Sequence, residues 1–298
     1  MDRFTGTAPV EGSPAYKATL VIPAYNEEQG IVPVLEELKR LGDAYEILVV
    51  DDGSTDGTSE TVRRSGVKVI RHPKNRGYGA ALKTGIREAK SPIIVITDAD
   101  GTYPNERIPE LVARMSDVDM VVGGRTGTSV AIPLIRRPAK WFLNRLANYL
   151  SEADIPDLNS GLRAFRRDVA IHFFPIFPSG FSFTTTITLA MLVNGYIVEY
   201  IPIDYHHRKG KSKIRPIYDT LNFISLIVRT VLYFRPLKIF LPIAGLLLLA
   251  SLLIFIGSWL FLPKIMDATV SITFMSGLQM AALGLLADLI DKRSGWSG

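Results

Sequence analysis

Three acid-bearing loops hold most of the residues whose types and spacing could do chemistry. They are Pro23-Ala24-Tyr25-Asn26-Glu27-Glu28, Asp51-Asp52-Gly53-Ser54-Thr55-Asp56-Gly57 and Asp98-Ala99-Asp100-Gly101. Asp98 and Asp100 are carboxylates one residue apart, directly after an apolar run. Both cannot enter a core, because an ionised carboxylate in an apolar site is too costly unless paired or metal-bound. Hard oxygen ligands with only one or two protein carboxylates suit Mg2+ or Mn2+, which completes its shell with water and substrate phosphates. Taken alone, the pair reads more readily as an Asx turn or a cap for the helix near Glu106; beside the other two loops, the cation is favoured. Asp52 reads either as part of a strand-ending turn or as an acceptor for an N–H of a nucleotide base, with Tyr25 and Glu27 as further walls of that pocket. Asp56 reads as a helix cap.

The elements that position these loops show in the hydropathy. From Ala18, short apolar runs alternate with amphipathic stretches, the pattern of an α/β fold with helices flanking a mostly parallel sheet. Strands are expected over 18–22, 46–50, 67–71, 92–97 and 119–122, and helices over 31–41, 58–65, 79–90 and 106–115. Loops beyond the carboxyl ends of such strands share one sheet edge, where α/β proteins bind ligands. After Gly124 the alternation loosens into a basic, aromatic helix at 138–151, a loop with a short strand at 154–165, a Thr-rich helix at 182–193 and a strand at 196–203. Residues 1–16 have no apolar core and read as a flexible arm, not a secretory signal.

Residues 240–262 contain no charge over 23 positions, and 268–287 none over 20, although the second stretch holds Thr269, Ser271, Thr273, Ser276 and Gln279. At about 1.5 Å per residue, either can cross a hydrocarbon core of about 30 Å. Arg229, Arg235 and Lys238 precede the pair and Lys292 and Arg293 follow it, while the intervening loop offers Lys264 beside Asp267. The distribution of positive residues therefore places both termini and the α/β domain in the cytoplasm, on the inner side of the cell membrane. In 217–234, Leu221, Ile224, Ile227, Val228 and Val231 recur at helical spacing, giving an interfacial amphipathic helix or an ordinary core helix. The expected organisation is an arm (1–16), an α/β domain (17–212), an amphipathic juxtamembrane segment (213–238), two transmembrane helices (239–290) and a tail (291–298).

Several classes are excluded. The 298 residues are 47% apolar with a formal net charge of +5, too apolar for intrinsic disorder. Without cysteine there is no disulfide framework, thiolate metal site or cysteine nucleophile. Gly77-Tyr78-Gly79 lacks the third glycine of a dinucleotide fingerprint and follows the third strand, so it reads as a tight turn into a helix. Gly210-Lys211-Ser212 has Tyr205 where a P-loop needs glycine. The histidines at 72, 172, 206 and 207 lack metal-ligand spacing. Basic residues gather beside the apolar stretches with no aromatic-lined groove, which suits lipid phosphate and excludes nucleic acid as a partner.

The strings VIPAYNEE, VVDDGSTDGT, NRGYGAAL, ITDADGTYP, GGR and DLNSGLRAF, in this order over about residues 18–215, resemble the family 2 glycosyltransferases of GT-A fold. With the apolar C-terminal pair, the chain is similar to the polyprenyl-phosphate hexosyltransferases, dolichol-phosphate mannose synthases among them. The resemblance implies that Pro23, Tyr25, Glu27 and Asp52 hold the nucleoside of a UDP- or GDP-sugar, and that Asp98 and Asp100 hold ribose, diphosphate and metal. It puts Arg125 and Arg163 near phosphates and Asp157 at the sugar or acceptor, with Asp98, Asp100, Asp157 and Arg125 as the catalytic set. Arg208, Lys211, Ser212 and Lys213 resemble the family's R-x-x-G-x-S-K element, with His207 in the usual arginine position. Of these, Lys213 would face the donor and the others, with Arg125, the acceptor phosphate.

The implied reaction is metal-dependent, inverting transfer of mannose or glucose to a polyprenyl phosphate. A lipid phosphate with a second pKa of about 6 is already ionised at neutral pH, so no base is needed and Asp157 becomes a positioning residue. Another lipid or a polysaccharide acceptor is the enzymatic alternative, though neither Gln29 nor Gln279 opens the Q-x-x-R-W element of processive synthases. A nucleotide-sugar-binding partner of a lipid flippase is the non-enzymatic alternative. A homo-oligomer is left open.

Overall fold

The computed structural model describes residues 16–126, 145–149, 151–180, 182–205, 224–225, 227–230, 232–264 and 266–293. They fall into two compact units, one within 1–140, 155–188 and 196–216, the other within 141–154, 189–195 and 217–298.

The first unit is built on β1 (Ala18–Ala24), α1 (Ile31–Lys39), β2 (Tyr45–Asp51), α2 (Thr58–Arg64), β3 (Lys68–Arg71), α3 (Tyr78–Glu88), β4 (Ile93–Ile96), α4 (Ile108–Arg114), β5 (Met120–Gly124), β6 (Arg163–Arg166), α5 (Arg167–His172), the part of α6 (Phe183–Val193) up to Thr188, and β7 (Val198–Pro202). The seven strands are ordered β3-β2-β1-β4-β6-β5-β7. All neighbours are parallel except β6, which runs antiparallel to both β4 and β5. β1 is buried along its whole length, as expected of a parallel strand covered on both faces. Leu20, Ile22 and Val49 pack with Val34, Leu35 and Leu38 of α1 and Leu111 of α4.

Pro23 stands in this central strand, where a missing N–H would normally break a ladder. The β1–β4 pairing ends at Val21, whose carbonyl accepts from Thr97 N. Two residues on, Pro23 faces the same side beyond the last paired position, so its absent donor costs nothing.

The second unit contains α7 (Leu237–Phe261) and α8 (Asp267–Arg293), joined by residues 262–266. Their mean hydropathies of 2.8 and 1.6 make both candidate membrane spans, and α8 runs past the expected 287 to include Asp288. Ala244, Ser251 and Ser258 form a buried seam on α7 at seven-residue spacing. On α8, a methyl group added to Gly277 or Gly284 would strike Leu248 or Phe240, so glycine permits the close approach. Ser251 Oγ also donates to Val270 O at 3.0 Å. Ahead of α7, Glu152 pairs with Arg235 at 2.8 Å and Lys238 at 2.7 Å. Within 217–234, the described residues 224–225, 227–230 and 232–234 are helical.

Candidate active site

The loops after β1 and β2 are laced together. Asn26 N donates to Ser54 Oγ, Glu27 N to Thr58 Oγ1 and Thr55 N to Asn26 Oδ1, each at 2.8–2.9 Å. Asn26 takes the left-handed conformation (φ 56), which asparagine tolerates. Asp56 Oδ1 accepts from Thr58 N at 3.1 Å, one residue ahead of the N-cap Gly57 of α2, which has no side-chain cap bond; Asp56 is therefore a local turn and not the expected cap. Tyr25 projects from this platform 43% exposed, and Glu27 is half-buried. A Cβ placed on Gly30 would lie 2.9 Å from Glu27 Oε2, 3.2 Å from Ala99 O and 3.6 Å from Asp100 Cα. The β1 and β4 loops thus meet at one sheet edge.

Asp98 and Asp100 lie half-buried on the β4 loop. Asp100 Oδ1 accepts from Thr102 Oγ1 at 2.7 Å and Thr102 N at 3.2 Å, a local turn of the kind the sequence also allowed. Asp98 Oδ1 accepts from Tyr78 Oη at 3.1 Å. Burial first, then the Asp98 charge, push the Tyr78 phenol well up, so it stays a donor. Beside Asp98 Oδ2, a Cβ on Gly161 would fall at 2.9 Å, and Gly161 N donates to Tyr103 Oη at 2.6 Å. Tyr103 meets Tyr205 edge to face at 5.3 Å.

The Arg125 guanidinium lies 5.3 Å from the centre of the Tyr205 ring and makes a two-pronged pair with Asp157. Nε donates to Oδ2 at 2.7 Å, Nη2 to Oδ1 at 2.9 Å, and Arg125 N adds a third bond to Oδ2 at 3.0 Å. Burial pushes the Asp157 carboxyl up, but the Arg125 bonds outweigh it and hold the group below its ordinary value. Such a carboxylate is a poor proton acceptor. Asp157→Asn is expected to cost about 2–3 kcal/mol, under the 3–5 of a fully buried pair because Arg125 keeps 25% of its side chain exposed. The pair's stabilisation is complete above the unfolded carboxylate pKa of about 3.9 and is lost as pH falls through the depressed folded value. Thermal unfolding of wild type and variant between pH 7 and pH 3 checks this: their difference should shrink toward the acid end.

Residues 19–174, just over half the chain, match the family model described as Glycosyl transferase family 2. The protein is a family 2 glycosyltransferase. It is 35% identical over 199 residues to the dolichyl-phosphate hexose transferase of Haloferax volcanii, covering 66% of this chain and 86% of the relative. It is 29% identical over 208 residues to the undecaprenyl-phosphate mannosyltransferase of Micrococcus luteus, covering 65% and 86%. Among solved structures, glucosyl-3-phosphoglycerate synthase from Mycobacterium tuberculosis in complex with Mn2+, UDP and phosphoglyceric acid superposes with a TM-score of 0.57 and 21% identity, over 72% of this chain and 78% of that one. This likeness shows the GT-A-like fold.

Two residues that the resemblance places at the donor, Arg163 and Asp52, are turned inward in the glycosyltransferase. Arg163 is 0% exposed; its guanidinium donates to Ser160 O, Thr184 O and Thr188 Oγ1 and ties the 160–163 turn to α6. Asp52 is 3% exposed and turned inward: His72 Nδ1 at 2.7 Å, Arg76 N at 2.9 Å and Gly77 N at 2.7 Å surround its carboxylate. It clamps the turn before α3. At that turn, Gly79 N and Ala80 N donate to Gly180 O and Ser179 O, so these amides are taken and no phosphate cradle forms. Arg208, Lys211, Ser212 and Lys213 lie outside the described residues.

Tyr78, Tyr103, Tyr205 and Gly161 join the cluster without having been assigned a role from sequence. Tyr103 sits in the ITDADGTYP string, where its nearness to the acidic pair was the available signal; for Tyr205, none existed.

Proposed function

We propose that this glycosyltransferase moves mannose or glucose, with inversion, from a UDP- or GDP-sugar to a polyprenyl phosphate, with Mg2+ or Mn2+ held by Asp98 and Asp100. The observation that carries this reading is the convergence of Tyr25, Glu27, Asp98 and Asp100 at one sheet edge while Arg125 is engaged by Asp157. A polyanionic diphosphate approaching two carboxylates needs positive charge between them. Among the described residues, no set of three or more His, Asp or Glu forms a metal cage. Two carboxylates that leave other positions to water and phosphate oxygens match what Mg2+ and Mn2+ require. Bound there, the cation supplies Lewis-acid stabilisation of the departing diphosphate.

The chain's own residues do the rest. Tyr25 offers its exposed ring to the base, Glu27 lines the ribose side, and Asp157 occupies Nε and Nη2 of Arg125, fixing the guanidinium so that Nη1 serves phosphate oxygens. Arg208, Lys211 and Ser212 are assigned to the acceptor phosphate and Lys213 to the donor. The names of the Haloferax and Micrococcus relatives support a polyprenyl phosphate acceptor, and the Mycobacterium structures with Mn2+ and UDP-glucose support that metal and nucleotide. The candidate spans support a membrane-bound acceptor, and the positive residues flanking them support a cytoplasmic site.

The test incubates the full chain in membranes with labelled UDP- and GDP-hexoses and short polyprenyl phosphates. One labelled sugar should enter a lipid-linked product with Mn2+ or Mg2+, and EDTA should abolish the signal. Donor hydrolysis without lipid-linked product from any pair would remove the acceptor assignment.

A further inference from the structure

We propose that Tyr78 is a positioning residue for Asp98, its hydroxyl fixing the carboxylate that faces the divalent cation, and that Asp52 holds the turn delivering it. The proposal rests on the reading of Asp98 as a metal ligand. The acidic pair is oriented by two different devices. Asp100 is held locally, by Thr102 two residues on. Asp98 is held from another element, by Tyr78 at the first position of α3, 20 residues earlier in the chain.

The backbone at Tyr78 is fixed on both sides. Before it, Arg76 N and Gly77 N donate to Asp52, with Gly77 at φ 99, a conformation glycine alone adopts without strain. After it, Gly79 N and Ala80 N bond to the 179–180 carbonyls. Asp52 is braced in turn by His72, whose Nε2 contacts Thr84 Oγ1 of α3 at 2.9 Å. A tyrosine on a fixed backbone has two side-chain torsions, so its hydroxyl is well placed to pin Oδ1 while Gly161 limits Oδ2. Bonds of this kind to metal-bound carboxylates typically cost about 10–100-fold in metal affinity when removed.

The experiment measures Mn2+ binding to the purified full-length enzyme with UDP present, by electron paramagnetic resonance of free Mn2+, beside thermal unfolding and the Mn2+ dependence of turnover. Tyr78→Phe is expected to weaken Mn2+ binding about tenfold or more, with turnover restored by excess Mn2+ and an unfolding temperature near wild type. Tyr196→Phe, whose ring packs on Phe173, should bind as wild type. Asp52→Asn, which loosens the turn and leaves the phenol in place, should shift Mn2+ affinity the same way by less, and it decides the matter if Tyr78→Phe does not fold. Wild-type affinity in Tyr78→Phe with binding lost in Asp98→Asn overturns the positioning role and leaves the metal reading standing. Wild-type affinity in both overturns the two together. A loss that excess Mn2+ cannot restore, paired with a lowered unfolding temperature, shows a merely structural role and overturns the proposal.

Discussion

Asp98→Asn is expected to slow hexose transfer about 1,000-fold at saturating Mn2+, with Asp100→Asn close behind and the double variant little worse than either. Removing a single preorganised group that stabilises developing charge typically costs about 100- to 1,000-fold, or about 3–4 kcal/mol at 1.36 kcal/mol per decade. Residues that act as one unit are strongly non-additive, which predicts the small further loss in the double variant. Both positions are half-buried at the sheet edge, and asparagine has nearly the same shape, so the fold should survive; circular dichroism and thermal unfolding check that. Initial rates with a labelled donor give the result. A single variant keeping more than a tenth of wild-type turnover would take the cation away from this pair.

Arg163→Met should be the most damaging of these changes to stability while leaving donor affinity untouched. The methionine roughly fills the volume, but Ser160 O, Thr184 O and Thr188 Oγ1 lose the bonds from the guanidinium in a fully buried site. Thr188 Oγ1 still donates to Thr184 O at 2.9 Å, so Ser160 O is the group left orphaned; an orphaned buried polar group costs about 1–3 kcal/mol, a large part of a typical 5–15 kcal/mol stability. Arg163→Lys should rescue poorly, because one ammonium cannot span the positions reached by a planar fork. Chemical denaturation and the KM for the sugar nucleotide separate two roles. A tenfold rise in KM at unchanged stability would restore the direct phosphate contact that the SGLRAF string implies.

The central parallel strands β1, β2 and β4 were legible because burial writes them as apolar runs, and the acidic loops because each directly follows such a run. β6 was harder: an antiparallel insertion between β4 and β5 leaves no local mark, since its register is set by strands far away in sequence. The inward bonds of Asp52 and Arg163 were hidden for a related reason. Their charges suggested ligand contact, but the partners that draw them inward are His72, Thr188 and backbone groups at 76–77, 160 and 184, whose nearness residue identity does not reveal. Tyr78 was hidden inside a turn rightly read as a turn, because what it holds lies 20 residues downstream. The apolar pair was plain from composition, whereas its seam of small residues gains meaning only when Ala244 and Gly277 face each other.

If the candidate spans α7 and α8 enter a lipid layer as a hairpin, the short connection between them has a consequence for its threading. Its tip carries Lys264 and, at the first position of α8, Asp267, two opposite formal charges that cancel. A transmembrane voltage does about 2.3 kcal/mol of work per elementary charge for each 100 mV. On this tip the net work is near zero whichever way it passes, so an energised membrane neither pulls the hairpin in nor resists it, and insertion is left to the hydrocarbon-loving flanks alone.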